Sequence, residues 1–278
     1  MEQQLSIVIL AYNEQKRLPP TLDSLLSWAE EIEIFDFEVI VVDDGSEDGS
    51  CTIVCGYADR FPQVRLVEEH HVGAMHAVLS GFRHARFALV DNMDADCAVH
   101  PRKLEKLVEF VEDRSIAQSS RVLSGGLPDV EGKSLVRRVM SAVMSRLFIT
   151  LFRCGVHDRQ IGYRLYTENA VLRITPLMRP RHDGLKIAEI IVRGYGLGMD
   201  IHEIPLPYIH DDDLRTVPKS PIKGAMVPLR AVFTVFQVWA QCGIDYLRGL
   251  LARNPIRGGF ILVPVSPFRC KFKSVDGA

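Results

Sequence analysis

Short unbroken runs of Val, Ile and Leu recur through the first hundred residues, each followed by a polar turn and then a helical pattern. An uninterrupted apolar run of this length is how a strand buried on both faces reads, because neither face meets water. Leu5 to Leu10, Phe37 to Val42, Val64 to Val67 and Phe87 to Val90 are predicted as four such strands. Helices are expected between them. The first covers Pro20 to Glu31, with Pro19-Pro20 at its start, where proline is tolerated. The second runs from a capping Ser50 to about Phe61, and the third covers Gly73 to Ala85. A fourth follows over Pro101 to Asp113. This βαβαβαβ order predicts an α/β fold built on a doubly wound, mostly parallel sheet.

Beyond residue 115 a strand is expected near Ile116 to Leu123, then the loop SGGLPDVEGK and a long helix over Lys133 to Phe152. Apolar pairs from Leu135/Val136 to Leu151/Phe152 give that helix a wide apolar stripe, opposed by Arg137, Arg138, Ser141, Ser145 and Arg146. It reads either as a core-facing helix or as a greasy groove beside basic residues. In Ala225 to Leu251, polar residues recur at Arg230, Thr234, Gln237, Gln241, Asp245 and Arg248. A polar stripe kept at helical period is not a membrane span, which needs roughly 20 nearly uniform apolar residues. It marks an amphipathic helix, with membrane-surface docking, packing on the domain and dimer contact as its open readings. The chain divides at about residue 222, with the sheet domain over 1–222 and an amphipathic appendage and tail over 223–278.

Two carboxylate clusters stand where strands are predicted to end. They are Asp43-Asp44 in FEVIVVDDGSEDGS and Asp94-Ala95-Asp96 in ARFALVDNMDADCAVHP. Ligands of open α/β sheets bind just beyond the carboxyl ends of such strands. Alternate residues of an extended segment project the same way, so Asp-x-Asp presents oxygen ligands together and suits a hard cation. Asp43 and Asp44 read either as ligand-binding groups or as charge partners for a helix N-terminus.

Composition narrows the classes. A formal net charge of −2 without a Lys/Arg block argues against nucleic-acid partners, and 47% hydrophobic residues suffice for a sizeable core. The cysteines at 51, 55, 97, 154, 242 and 270 lack zinc-ligand spacing. Free thiols with no signal peptide point to a reducing cytosol.

Taken together the motifs resemble family-2 glycosyltransferases of the GT-A (Rossmann-like) fold. Within that class they are most similar to dolichol-phosphate (polyprenol-phosphate) mannose synthases and their glucosyl relatives. The resemblance covers about residues 4–212 and rests on ILAYNE, VVDDGSEDGS, DADCAVHP, SSRVLSGG, DRQIGYRLYT, and DGLKIAEIIVRG with IHEIPLPY, in that order. Three departures accompany it. HHVGAMHAVLSG replaces a Gly- and Lys-containing helix start, Ala98 stands where a Gln is usual, and HDDDLRTVPKS replaces an Arg…Gly-Glu-Ser-Lys loop.

The resemblance implies inverting transfer of a hexose, mannose or glucose, from GDP-mannose or UDP-glucose to a polyprenyl (dolichyl) phosphate. A soluble family-2 enzyme with a glycan or small acceptor is the alternative. Mg²⁺ or Mn²⁺ would sit on Asp94 and Asp96. Donor contacts would come from Leu10, Tyr12, Glu14, Val41, Asp43, Asp44 and Ala95, with Arg215 and Lys219 on the phosphates. Arg121 would add charge at the diphosphate, and Asp158 and Arg164 would position the acceptor. For a hydroxyl acceptor, Asp183 and Glu189 are the candidate bases. The expected location is the cytoplasmic face of a membrane, as a peripheral protein.

Overall fold

A computed structural model describes residues 3–31, 35–123, 135–159, 161–178, 187–207 and 232–245. Seven strands form one sheet: β1 (Gln3–Ala11), β2 (Phe35–Asp43), β3 (Val64–Glu68), β4 (Leu89–Asp94), β5 (Ser115–Ser119), β6 (Arg164–Thr167) and β7 (Asp200–Ile204). Their spatial order is β3-β2-β1-β4-β6-β5-β7, and β6 runs antiparallel to both of its neighbours. The other pairings are parallel; β1 and β2 carry the continuous apolar runs of strands covered on both faces, whereas β4, predicted over Phe87 to Val90, runs over Leu89–Asp94 and includes the buried polar Asp91 and Asn92.

The helices are α1 (Leu18–Glu31), α2 (Ser50–Ala58), α3 (Ala74–His84), α4 (Leu104–Val108), α5 (Leu135–Phe152), α6 (Glu168–Ile174), α7 (Ile187–Gly196) and α8 (232–245). Successive strand residues feed opposite faces of the sheet. Ile7 and Ile9 join α1 and α4 in one core, whereas Val8, Ile40 and Val42 join α3, α5, α7 and α8 in the other.

Two predicted helices differ in detail. Ser50 is the first residue of α2 rather than its cap, a position held by Gly49, and the Ser50 hydroxyl accepts from the Glu14 amide at 2.9 Å. The helix expected over Pro101 to Asp113 is a 3₁₀ turn followed by the single turn and a half of α4. It stops there because the Phe110 and Val111 amides take i−3 carbonyls and the Ser115 hydroxyl accepts from the Glu112 amide.

The chain builds outward from β1 to β3 and then crosses back, through α3, to lay β4 on the other side of β1. A crevice opens where the strand order reverses, at the carboxyl ends of β1 and β4. Register fixes what lines it: Leu10 pairs with Asp94, and Ala11 with Asp43.

Candidate active site

A cavity of about 360 Å³ lies at these strand ends, with Tyr12, Glu14, Asp44, His71, Asp94 and Asp96 among its walls. Asp94 closes β4, and the next two residues turn away over α1. The Thr21 hydroxyl donates to the Ala95 carbonyl at 2.7 Å, and the Ala98 amide donates to Asp96 Oδ1 at 3.1 Å. Both carboxylates are exposed within the cleft. Protein nevertheless surrounds Asp94 on most sides. That desolvation first, then repulsion from Asp96, pushes its carboxyl up to about 6, against the opposing charges of Arg164 and Arg121.

The neighbouring wall comes from the turn after β2 and the start of α3. Asp43 is buried and receives the Ser46 amide at 2.7 Å, which closes the turn. Asp44 accepts from the backbone amides of Val72 and Gly73, at 3.0 and 3.1 Å to Oδ1, and pairs with His71 Nδ1 at 2.9 Å. It therefore holds the entrance of α3 while also bordering the cavity. His71, fixed in this way, stacks on Tyr12 with ring centroids 4.2 Å apart and planes 22° apart. Glu14 forms an ion pair with Arg17 at 3.1 Å, and burial raises its carboxyl above the ordinary range despite that partner.

A third group lies across β4. Asp158 is buried and takes Arg121 in a two-point contact, Nε to Oδ2 at 2.7 Å and Nη2 to Oδ1 at 2.8 Å, plus the Arg121 amide at 3.1 Å. Glu203 on β7 accepts from the His157 and Asp158 amides, each at 2.8 Å. Gln118 bridges the set, donating to the Asp158 carbonyl at 2.6 Å and accepting from Arg164 Nε at 2.9 Å. Arg164 is fully buried, with Nη2 donating to the Arg159 carbonyl at 2.8 Å. Its hydrogen bonds run to protein groups, and its charge acts on Asp94 from within.

Of the residues singled out in the sequence, the cavity gathers Leu10, Tyr12, Glu14, Asp44, Asp94, Ala95 and Asp96. Val41 lies in the core, and Asp43 is buried beneath its turn, which takes up its Oδ2. Arg121, Asp158 and Arg164 form the adjoining network. Glu189, the candidate base, is buried in an ion pair with Arg193 at 2.9 Å on α7, away from the cleft. Asp183, Arg215 and Lys219 lie outside the described residues. The sequence reading missed Arg17 and His71. His71 sits in the HHVGAMHAVLSG segment, where the departure from the family pattern was itself a signal.

The donor set fits a hard divalent ion. Asp94 and Asp96 offer carboxylate oxygens with their charges uncompensated by each other, and they project into an open cleft. No cluster of three or more acidic, His or Cys ligands exists among the described residues. Further coordination must then come from a ligand's oxygens and water, the usual habit of Mg²⁺-like ions.

Fold and site thus define an α/β domain whose cleft at the sheet's switch point carries two neighbouring carboxylates. The family model for glycosyl transferase family 2 matches residues 6–171, and the chain belongs to that family. A dolichyl-phosphate beta-glucosyltransferase from Trichomonas vaginalis is 28% identical over 231 residues, spanning 80% of this chain and 68% of that protein. The human dolichyl-phosphate beta-glucosyltransferase is 31% identical over 185 residues, 61% of this chain and 56% of its own. Among solved structures, glucosyl-3-phosphoglycerate synthase from Mycobacterium tuberculosis, crystallised with Mn²⁺, UDP-glucose and phosphoglyceric acid, superposes with a TM-score of 0.60. The match is 17% identical and covers 86% of this chain and 80% of that one.

Proposed function

We propose that this glycosyltransferase is metal-dependent and inverting, and that it moves glucose from UDP-glucose to a polyprenyl (dolichyl) phosphate. The observation that carries the reading is the pair Asp94 and Asp96, open to a cavity whose other wall is the stacked Tyr12 and His71. Glucose is preferred to mannose because the similar proteins bear glucosyltransferase names. UDP-glucose and Mn²⁺ accompany the solved structure of similar fold.

In this reading the exposed face of Tyr12 receives the nucleobase, and Asp44 borders the ribose. Asp94 and Asp96 hold Mg²⁺ or Mn²⁺, which when bound neutralises charge on the departing diphosphate. Glu14 and Arg17 close the side of the cleft. Arg121, fixed by Asp158, adds positive charge beside the carboxylates and helps keep Asp94 ionised. A phosphate acceptor is already ionised at neutral pH, so no strong general base is required.

The acceptor's lipid tail places the work at a membrane. Among the described residues no helix is long and apolar enough to cross one. The described part of the 223–278 appendage, α8, packs Val235, Val238 and Cys242 on the core of the 1–222 catalytic unit. Its outer side leaves Phe233, Phe236, Trp239 and Ile244 exposed, with relative exposures from 40% to 64%. An apolar face of that kind suits peripheral docking on a bilayer, here assigned to the cytoplasmic leaflet.

Thermal-shift measurements with UDP, GDP and their glucose and mannose conjugates, with and without Mn²⁺, test the donor, because binding to the native state raises stability. The expected result is stabilisation by UDP ligands that Mn²⁺ increases. Glucose transfer from labelled UDP-glucose to dolichyl phosphate in detergent tests the acceptor. A response to GDP alone, or transfer only to water-soluble phosphates, would overturn the corresponding half of the assignment.

A further inference from the structure

We propose that Gly162 is a positioning residue for the cation seat: its missing side chain lets the chain entering β6 close over Asp94 and sets the orientation of that carboxylate. The inference rests on the metal-dependent reading above and names a residue outside the carboxylate pair on which the pair depends.

The antiparallel register of β4 and β6 explains the contact. Val90 pairs with Tyr166 and Asn92 with Arg164; continuing two residues further sets Gly162 opposite Asp94. Directly opposed residues of an antiparallel pair project from the same face, so a side chain at 162 would point where the Asp94 carboxylate lies. A Cβ built on Gly162 would fall 2.1 Å from Asp94 Oδ2, 2.4 Å from Cγ and 2.6 Å from Oδ1. No atom pair tolerates such distances, so the carboxylate must turn away or the segment must lift. Gly162 is not among the positive-φ glycines of the chain, so its backbone is one that other residues adopt. The demand for glycine here is steric, imposed by Asp94.

The segment has little freedom to lift. Asn92 Nδ2 donates to the Gly162 carbonyl at 2.6 Å, and the Tyr166 hydroxyl donates to Asn92 Oδ1 at 2.8 Å. On the other face the Tyr163 hydroxyl donates to the carbonyls of His100 and Pro101, at 3.3 and 3.2 Å, which ties the loop after Asp96 to the same strand. Gly162 therefore sits in a span anchored on both faces, and a methyl group added there is relieved chiefly by moving Asp94. Partners that orient a ligand carboxylate commonly matter to affinity as much as the ligand's neighbours in the coordination shell.

The test uses the full chain, with Mn²⁺ titrated calorimetrically in the presence of UDP, and separately UDP titrated in EDTA. Gly162→Ala should weaken Mn²⁺ binding by about tenfold or more while UDP affinity in EDTA stays within about twofold, a split that loss of fold alone would not give. Asp94→Asn serves as the reference for a lost ligand. Wild-type Mn²⁺ affinity in a folded Gly162→Ala protein would overturn the inference while leaving the carboxylate pair in place. No Mn²⁺ binding by the wild type would overturn the metal-dependent reading, and this inference with it. Should Gly162→Ala fail to fold, Tyr166→Phe decides, since it removes one oxygen from the tether. A loss of about threefold or more in Mn²⁺ affinity supports the proposal, and an unchanged affinity defeats it.

Discussion

Replacing Arg193 by Met should be among the most destabilising single changes outside the cleft, because it strips the cation from a buried three-residue charge cluster. Arg193 on α7 is 1% exposed. It donates from Nε to Glu189 at 2.9 Å and from Nη1 to Asp245 on α8 at 3.0 Å. Met fills similar volume, so the loss is electrostatic and takes the shared cation from two carboxylates. Removing one partner of a buried ion pair costs about 3–5 kcal/mol. The Glu189 side chain is 2% exposed, but that of Asp245 is 15% exposed and keeps the Gln241 amide at 2.9 Å. That relief favours the lower half of the range, about 3–4 kcal/mol. At about 2–4 °C per kcal/mol for a domain of this size, Tm should fall by about 6–16 °C. Urea and thermal unfolding followed by circular dichroism measure both quantities. Adding Glu189→Leu removes the most buried bare charge and should recover at least about 1–2 kcal/mol as a coupling energy. A loss below about 1 kcal/mol for Arg193→Met, or strictly additive losses in the pair, would refute the argument. The cluster also joins α7 to α8, the helix that presents Trp239.

Three further outcomes follow from the same geometry. Because the surroundings lift the Asp94 carboxyl to about 6, Mn²⁺ affinity should fall as pH drops through that value, and Glu14→Gln should move the midpoint lower by removing a repulsive charge; calorimetry between pH 5 and 8 that shows a flat affinity would contradict it. In the metal-free protein the sign reverses for stability. The folded value lies above the unfolded 3.8, so the contribution of Asp94 is fully present below 3.8 and is lost as pH rises through about 6. Arg121→Ala should destabilise more than Asp158→Asn, by about 3 against about 1–2 kcal/mol, since the first takes the opposing charge from a carboxylate that is 4% exposed and the second takes it from a guanidinium that is 27% exposed; urea unfolding showing the reverse order would sink that reasoning. Trp239→Glu should release the protein from anionic liposomes in co-sedimentation, and undiminished binding would assign the exposed face of α8 another role.

How much of this was legible in the sequence depended on whether a residue's partner lies near it in the chain or across the sheet. β1 and β2 were legible because strands covered on both faces need unbroken apolar runs; β4 was read as Phe87 to Val90 but runs over Leu89–Asp94, since Asp91 and Asn92 are polar yet buried in it. β6 was read as an acceptor-side motif rather than as a strand. Its Arg164 and Tyr166 look solvent-seeking, yet they are buried because Gln118, the Arg159 carbonyl and Asn92 satisfy their polar ends. His71 was hidden for a related reason: the altered HHVGAMHAVLSG segment marks the region but not the residue, and Asp44, 27 residues away, turns it onto Tyr12. Arg121 and Asp158 were recognised individually, but their mutual contact belongs to the tertiary fold, and it alters their chemistry from free ligands to a fixed charge pair. Gly162 is the extreme case. Gly162 belongs to the DRQIGYRLYT motif, but the motif does not say what the glycine meets, which appears only when β4 places a carboxylate where its side chain would have been. The placement of the Asp94 carboxylate therefore depends on long-range register as much as on the Asp-x-Asp motif, and a motif match alone does not fix it.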